Sequence, residues 1–112
     1  MSCLFCKIVA GEIPSNKVFE DELAFAFRDI NPQAPTHILV VPRKHIASLA
    51  ESEAADQDLI GYLHLVAARI AASEGLAKGF RTVINTGHDG GQTVDHLHVH
   101  LLGGRAMSWP PG

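Results

Sequence analysis

The residues with the clearest chemical potential lie near the C-terminus, where the chain reads Asp95-His96-Leu97-His98-Val99-His100-Leu101-Leu102-Gly103-Gly104. Histidines alternate with apolar residues. In an extended strand every second side chain shares a face. The spacing therefore predicts His96, His98 and His100 on one face, with Leu97, Val99 and Leu101 packed into a core on the other. A helix would scatter the imidazoles, because side chains two apart do not face each other there. Three adjacent imidazoles make a costly structural face, since each protonation disfavours the next and every ring needs partners. The row points to a metal site or to a nucleophilic histidine oriented by its neighbours, ahead of a merely solvated edge strand.

Imidazole attacks phosphorus well when one ring nitrogen is held by a hydrogen bond and the other is free. His98, flanked on its own face by His96 and His100, is the natural nucleophile. His100 is placed to bond a phosphate oxygen or to steer the leaving group, and His37 to act as a further orienting group. Just upstream runs a glycine-rich segment, Thr86-Gly87-His88-Asp89-Gly90-Gly91-Gln92-Thr93. Its glycines let backbone amides approach an anion. Asn85, Gln92 and Thr93 add neutral donors that stabilise charge on phosphoryl oxygens. The segment lacks the lysine of a Walker motif. Loop and histidines together read as a phosphate-sized pocket with a nucleophile in it. A catalytic metal on all three triad histidines is disfavoured, because strand spacing keeps their side chains from converging on one ion.

The elements that must position these groups are few. A chain of 112 residues with 46% hydrophobic content suits one domain, residues 1–112, around one core. The formal net charge of −3 argues against an electrostatic nucleic-acid binder. No apolar run is long enough to span a membrane, and no secretion signal is evident, so the expected location is the cytoplasm. Cys3 and Cys6 are too close for a bridge between them to staple a fold, and Cys-x-x-Cys in such a setting reads as a metal half-site or a redox pair.

Residues 3 to about 10 suggest a short helix ended by Gly11. Val18-Phe19 and Leu23 to Arg28 suggest a hairpin, with Phe25 and Phe27 on one face. His37 to Pro42 reads as a strand buried on both faces. Ile46 to Leu49 suggests one helical turn. Ser52 is the expected cap of a long helix whose apolar stripe is Leu59, Leu63, Val66 and Ile70, with Gly75 just past its end. His64 reads as a surface or packing residue. Phe80 to Asn85 suggests another strand. The tail, 105–112, ends in Trp109-Pro110-Pro111-Gly112, and its lone aromatic points to contact with a partner. The fold class is α+β: a five-stranded antiparallel sheet, one long helix and a short N-terminal helix.

The His-x-His-x-His run resembles the signature of the histidine triad (HIT) superfamily. Phe27 to His37, Val41 to Ile46, Gly90 to Val94, Gly103 to Arg105 and the Trp-Pro-Pro-Gly end resemble its Hint branch, so the likeness covers nearly the whole chain. The resemblance implies a ten-stranded sheet across a homodimer. It also implies hydrolysis of purine nucleoside phosphoramidates through a nucleotidyl-histidine on His98. His37, Thr93 and His100 would assist catalysis. Leu4, Phe5, Phe27, Asp29, Ile30 and Leu39 match the nucleoside pocket, with Asp29 on the ribose hydroxyls. Asn85, Gln92, Thr93, Val94 and His100 lie on the phosphate side, and Trp109 reaches the partner's site. No organic cofactor is implied. Some relatives hold a structural zinc on Cys-x-x-Cys and two histidines, which here assigns Cys3, Cys6, His45 and His96 as ligands. Two residues depart from the branch: Thr93 stands where serine is common, and Asp95 where a large aromatic is frequent. Asp95 is expected to point away from the face of His96. A diadenosine polyphosphate hydrolase or nucleotidyl transferase, a nucleotide-binding regulatory protein and a zinc-binding interaction module are the competing functional readings.

Overall fold

The computed structural model describes residues 3–112, so the first two residues of the expected domain lie outside it. The order is α1 (Leu4–Val9), β1 (Lys17–Glu20), β2 (Ala24–Arg28), β3 (Thr36–Pro42), α2 (Gln57–Ser73), β4 (Phe80–Val83) and β5 (Val99–Gly103). The strands form one sheet in the order β1-β2-β3-β5-β4, with every neighbouring pair antiparallel. The expected α+β architecture is the observed one.

Parity along the strands decides what each face covers. Ala24, Ala26, Ile38, Val40, Val99 and Leu101 point to one side, where α2 brings Leu63, Val66, Ala67, Ile70 and Ala71 onto them. Phe25, Phe27, Leu39 and Val41 point to the other side and meet Phe5 and Ile8 of α1. Both faces of the central strands are thus covered, which explains why all of β3 is buried. The small alanines of β2 let the long helix lie close, whereas its phenylalanines fill the space under the short one.

Several boundaries differ from expectation, each for a local reason. β2 begins at Ala24 rather than Leu23, because the Asp21 carboxylate accepts from the amides of Leu23 (2.9 Å) and Ala24 (2.8 Å) and turns the chain there. The helical turn expected at Ile46 to Leu49 lies instead at Leu49–Glu51. Ser52 does not cap α2; its hydroxyl donates to the Leu49 carbonyl at 2.6 Å. The role passes to Glu53 and Asp56, whose side chains form a capping box on a 3₁₀ turn, Ala54–Asp56, that runs into α2. The other end is as expected. Gly75 takes φ +77°, and the amides of Gly75 and Leu76 donate to the carbonyls of Ala72 and Ala71, closing the helix in a Schellman turn. β4 stops at Val83, two residues short of Asn85.

The largest difference concerns the histidines. β5 starts at Val99, so only His100 sits in the ladder. Residues 94–96 form a bend. Tertiary contacts fix this bend in place of strand pairing, and they build the site.

Candidate active site

His98 lies just before β5, on the α1 side of the sheet. Phe5 meets its ring edge-on at a centroid distance of 5.1 Å and meets His96 at 6.0 Å. His98 Nδ1 is 2.7 Å from the His96 backbone carbonyl. A carbonyl only accepts, so Nδ1 carries the proton, and in the neutral ring Nε2 holds the free lone pair. Burial pushes the His98 pKa below its ordinary value, against the opposing pull of that carbonyl bond and of Asp29. The ring is therefore neutral near pH 7, with its nucleophilic nitrogen fixed by the main chain.

His100 and His37 form the second part. Leu39 is the register partner of His100, and His37 pairs with Leu102, so the two histidines are diagonal neighbours on one face. Their Nε2 (His37) and Nδ1 (His100) atoms are 2.9 Å apart. The direction of the proton follows from the far end of the chain of bonds. The Gln33 amide donates to His37 Nδ1 at 3.0 Å, so His37 carries its proton on Nε2. It donates to His100 Nδ1, leaving the His100 proton on Nε2. Asp29 Oδ2 lies 3.5 Å from His37 Nε2 and orients the ring further. Burial lowers both pKa values, that of His100 to about 4, with the charges of His98 and His37 adding to the shift. His98 and His100 centroids are 4.8 Å apart. The site thus sets a lone pair beside a ring that offers an N–H hydrogen-bond donor.

Asp29, His37 and His100 are also close enough to suggest a cation site. The bonding pattern opposes it: His37 Nδ1 accepts from the main chain, so its Nε2 is protonated and offers no lone pair.

A different cluster suits a metal. The donor atoms of Cys3, Cys6, His45 and His96 all lie within 4.8 Å of one another. His96 Nδ1 is 3.4 Å from Cys3 Sγ, 3.6 Å from Cys6 Sγ and 3.2 Å from His45 Nδ1, and Cys6 Sγ is 3.4 Å from His45 Nδ1. Zinc bond lengths in a tetrahedron give edges of about 3.6 Å for sulfur to nitrogen and about 3.3 Å for nitrogen to nitrogen. His96 Nε2 donates to the Pro42 carbonyl at 2.8 Å, which leaves Nδ1 unprotonated and aimed at the cluster. The donors fit zinc in chemistry and spacing. His96, buried completely, serves both centres: its ring faces the thiols and its carbonyl holds His98.

Of the residues assigned to nucleoside binding, Phe5, Phe27 and Leu39 form a buried apolar floor, with Val94 packed against it. Asp29 is half-buried beside them, whereas Leu4 is exposed and Ile30 fully so. Asn85 is half-buried and Thr93 exposed. Gln92 braces the loop: its amide nitrogen donates to the carbonyls of Ala47 (2.8 Å) and Val94 (3.0 Å), and its oxygen accepts from the Gly87 amide. Trp109 is 81% exposed, with the Arg81 guanidinium over its ring at 5.9 Å. Asp95 does not turn to the core. It is exposed and shares a cavity of about 530 Å³ with Cys3, Leu4, His45 and Thr93, because the bend at 94–96 breaks strand alternation. His64 is exposed. Sequence reasoning missed the carbonyls of His96 and Pro42 and the amide of Gln33. Main-chain groups carry no side-chain signature, and only the fold could reveal them.

Residues 10–107 match the model of the HIT domain. The chain is 60% identical over 109 residues to an uncharacterized HIT-like protein of Synechococcus elongatus, covering 97% of this chain and 96% of that protein. It is 55% identical over 111 residues to a 14 kDa zinc-binding protein of Zea mays, covering 97% and 87%. A crystal structure of a HIT family hydrolase from Legionella pneumophila superposes with a TM-score of 0.97 at 53% identity, covering 99% of this chain and all of that one.

Proposed function

Because the chain belongs to the HIT domain family, we propose that it is a Hint-like hydrolase of purine nucleoside phosphoramidates, in which an amine is linked through nitrogen to adenosine monophosphate. The observation that carries this reading is the tautomer pattern: a neutral His98 with Nδ1 tied to a carbonyl, beside a neutral His100 that bears its proton on Nε2.

In the first step the His98 Nε2 lone pair attacks phosphorus. A phosphorus–nitrogen bond to His98 forms as the bond to the leaving amine breaks. The leaving nitrogen accepts a hydrogen bond from His100 Nε2–H, whose ring is held by His37 Nε2–H, and departs as the amine with a proton from solvent. In the second step water attacks the nucleotidyl-histidine and gives up its proton to solvent, releasing the nucleotide and restoring His98. Amides of the 87–93 loop, Asn85 and Thr93 hold the phosphoryl oxygens. Asp29 accepts from the ribose hydroxyls, and Phe5, Phe27 and Leu39 cover the base.

Zinc on Cys3, Cys6, His45 and His96 ties the N-terminus to the bend before β5; with four protein ligands it is structural. The donor geometry and the zinc-binding name of the maize relative support that assignment. A homodimer with a continuous ten-stranded sheet completes the reading. Its support is the position of β4 at the sheet edge beside exposed Phe80 and Trp109. Cytoplasmic residence is consistent with free cysteines, and no described helix is long and apolar enough to cross a membrane.

The deciding assay compares specificity constants for adenosine phosphoramidate, a diadenosine polyphosphate and a nucleotide-sugar. Preference for the phosphoramidate is expected. Preference for either of the others replaces the proposed substrate class.

A further inference from the structure

The zinc ligands are not sealed in. Cys3 and Cys6 are each half-buried, and His45 is exposed. Cys3 and His45 line the cavity of about 530 Å³ that opens to solvent between α1 and the bend at 94–96. A structural zinc in a closed core would be inert to small oxidants; here one thiol borders an open concavity. The second thiol is already placed to resolve it. Cys3 and Cys6 stand three residues apart, Cys6 N–H donates to Cys3 Sγ at 3.3 Å, and the two sulfurs are within 4.8 Å of each other. Cys6 Sγ also sits against both ligand histidines, so its loss removes two contacts of the cluster.

We propose that Cys3 and Cys6 form a thiol modification site, oxidised by hydroperoxides to a disulfide with release of zinc. This rests on the zinc assignment made above. Zinc binding holds both groups as thiolates. The Cys3 sulfur attacks one oxygen of the peroxide: a sulfur–oxygen bond forms, the oxygen–oxygen bond breaks, and the departing hydroxide takes a proton and becomes water. The Cys6 sulfur then attacks Cys3 Sγ. A sulfur–sulfur bond forms, the sulfur–oxygen bond breaks, and a second water leaves with a second solvent proton. The two sulfurs lose two electrons and the peroxide gains them. Zinc keeps its oxidation state and departs as the hydrated ion, because a disulfide is not a competent ligand pair. His96 Nδ1 then has no metal to hold it, and the bend whose carbonyl holds His98 loses one of its anchors.

The test uses the full chain reconstituted with zinc and treated with hydrogen peroxide. Zinc release is followed with a chromogenic chelator, intact mass by mass spectrometry, and turnover of adenosine phosphoramidate in parallel. One zinc per chain is expected to leave in step with a mass loss of two hydrogens. Turnover should fall about ten- to hundredfold, as when an outer partner of a site is removed. Dithiothreitol with added zinc should restore all three. Met107→Leu should respond identically, which separates the thiols from oxidation of Met107. Zinc retained under peroxide overturns the proposal, and so does zinc lost without disulfide formation. A chain that takes up no zinc overturns it at the first step. Untreated protein without turnover would remove the hydrolase reading, while zinc release and mass still decide this one.

Discussion

His98 Nδ1 lies 2.7 Å from the carbonyl oxygen of His96, the residue two before it. That contact joins the two centres of the molecule. One end of His96 fixes the tautomer of His98, and the other faces the thiols of Cys3 and Cys6.

His98→Ala is expected to abolish amine release from adenosine phosphoramidate, by on the order of 10⁴-fold or more, while the circular dichroism spectrum is unchanged. Mass spectrometry of rapidly quenched wild-type protein should show a nucleotidyl adduct that the variant lacks. Comparable turnover in the variant would remove His98 as nucleophile.

On the proposed function His37 and His100 act as one hydrogen-bonded pair, so their losses should not add. His37→Ala and His100→Ala are each expected to lower kcat about a hundredfold, as for loss of a positioned hydrogen-bond donor. The double variant should fall little further than the worse single one. A cycle in which the two effects multiply would mean that they work independently.

The histidine strand also shows where sequence legibility ends. The strand period placed Leu97, Val99 and Leu101 in a core, and they are there, fully buried against residues of α2. It did not reveal that His96 and His98 precede the ladder, because the contacts that bury them come from distant parts of the chain and leave no mark on the local residue pattern. The His96 amide closes a local turn on the Val94 carbonyl (2.9 Å), and the Leu97 amide donates to the carbonyl of distant Ile46 (2.6 Å), a contact that no two-residue period shows. The cap of α2 was missed for a similar reason. Ser52 is the better capping residue by type, yet the Glu53–Asp56 pair wins, with Lys44 reaching Asp56 at 2.6 Å. The cluster of Cys3, Cys6, His45 and His96 entered through family resemblance, since the spacing of Cys-x-x-Cys names only half of it.

Metal analysis should find one zinc per chain. His45→Ala removes the most exposed of the four ligands, and is expected to weaken zinc retention against a chelator and lower Tm by several degrees, with less loss in the presence of excess zinc. Full retention at the wild-type rate would exclude His45 from the site.

Stability should fall on mild acidification. The His100 pKa is lowered to about 4, chiefly by burial, from an ordinary 6.5, and those of His37, His96 and His98 move in the same direction. A depressed base binds fewer protons when folded than when unfolded. Its contribution is therefore whole above about pH 6.5 and is lost as the pH falls toward 4. The urea midpoint should drop steadily across that window; a flat profile between pH 7 and 5 would contradict the buried, neutral assignment.

Gly90→Ala tests the phosphate loop. A Cβ there would stand 2.2 Å from the Thr86 carbonyl oxygen. The loop must open to admit it, and KM for the phosphoramidate should rise about tenfold or more, with Tm little changed because the loop is exposed. An unaltered KM would detach the loop from substrate binding.

The bend at 94–96 has a consequence for redesign. The register of β5 is set from Val99 onward by β3 and β4, and His96 is tied separately to Pro42 and the thiol cluster. The stretch from Asn85 to Thr93 is thus moored at both ends to parts that do not depend on its length. On the proposed function, exchanges in that stretch that keep Gln92 would change what surrounds the leaving amine while His98 Nε2 keeps its place.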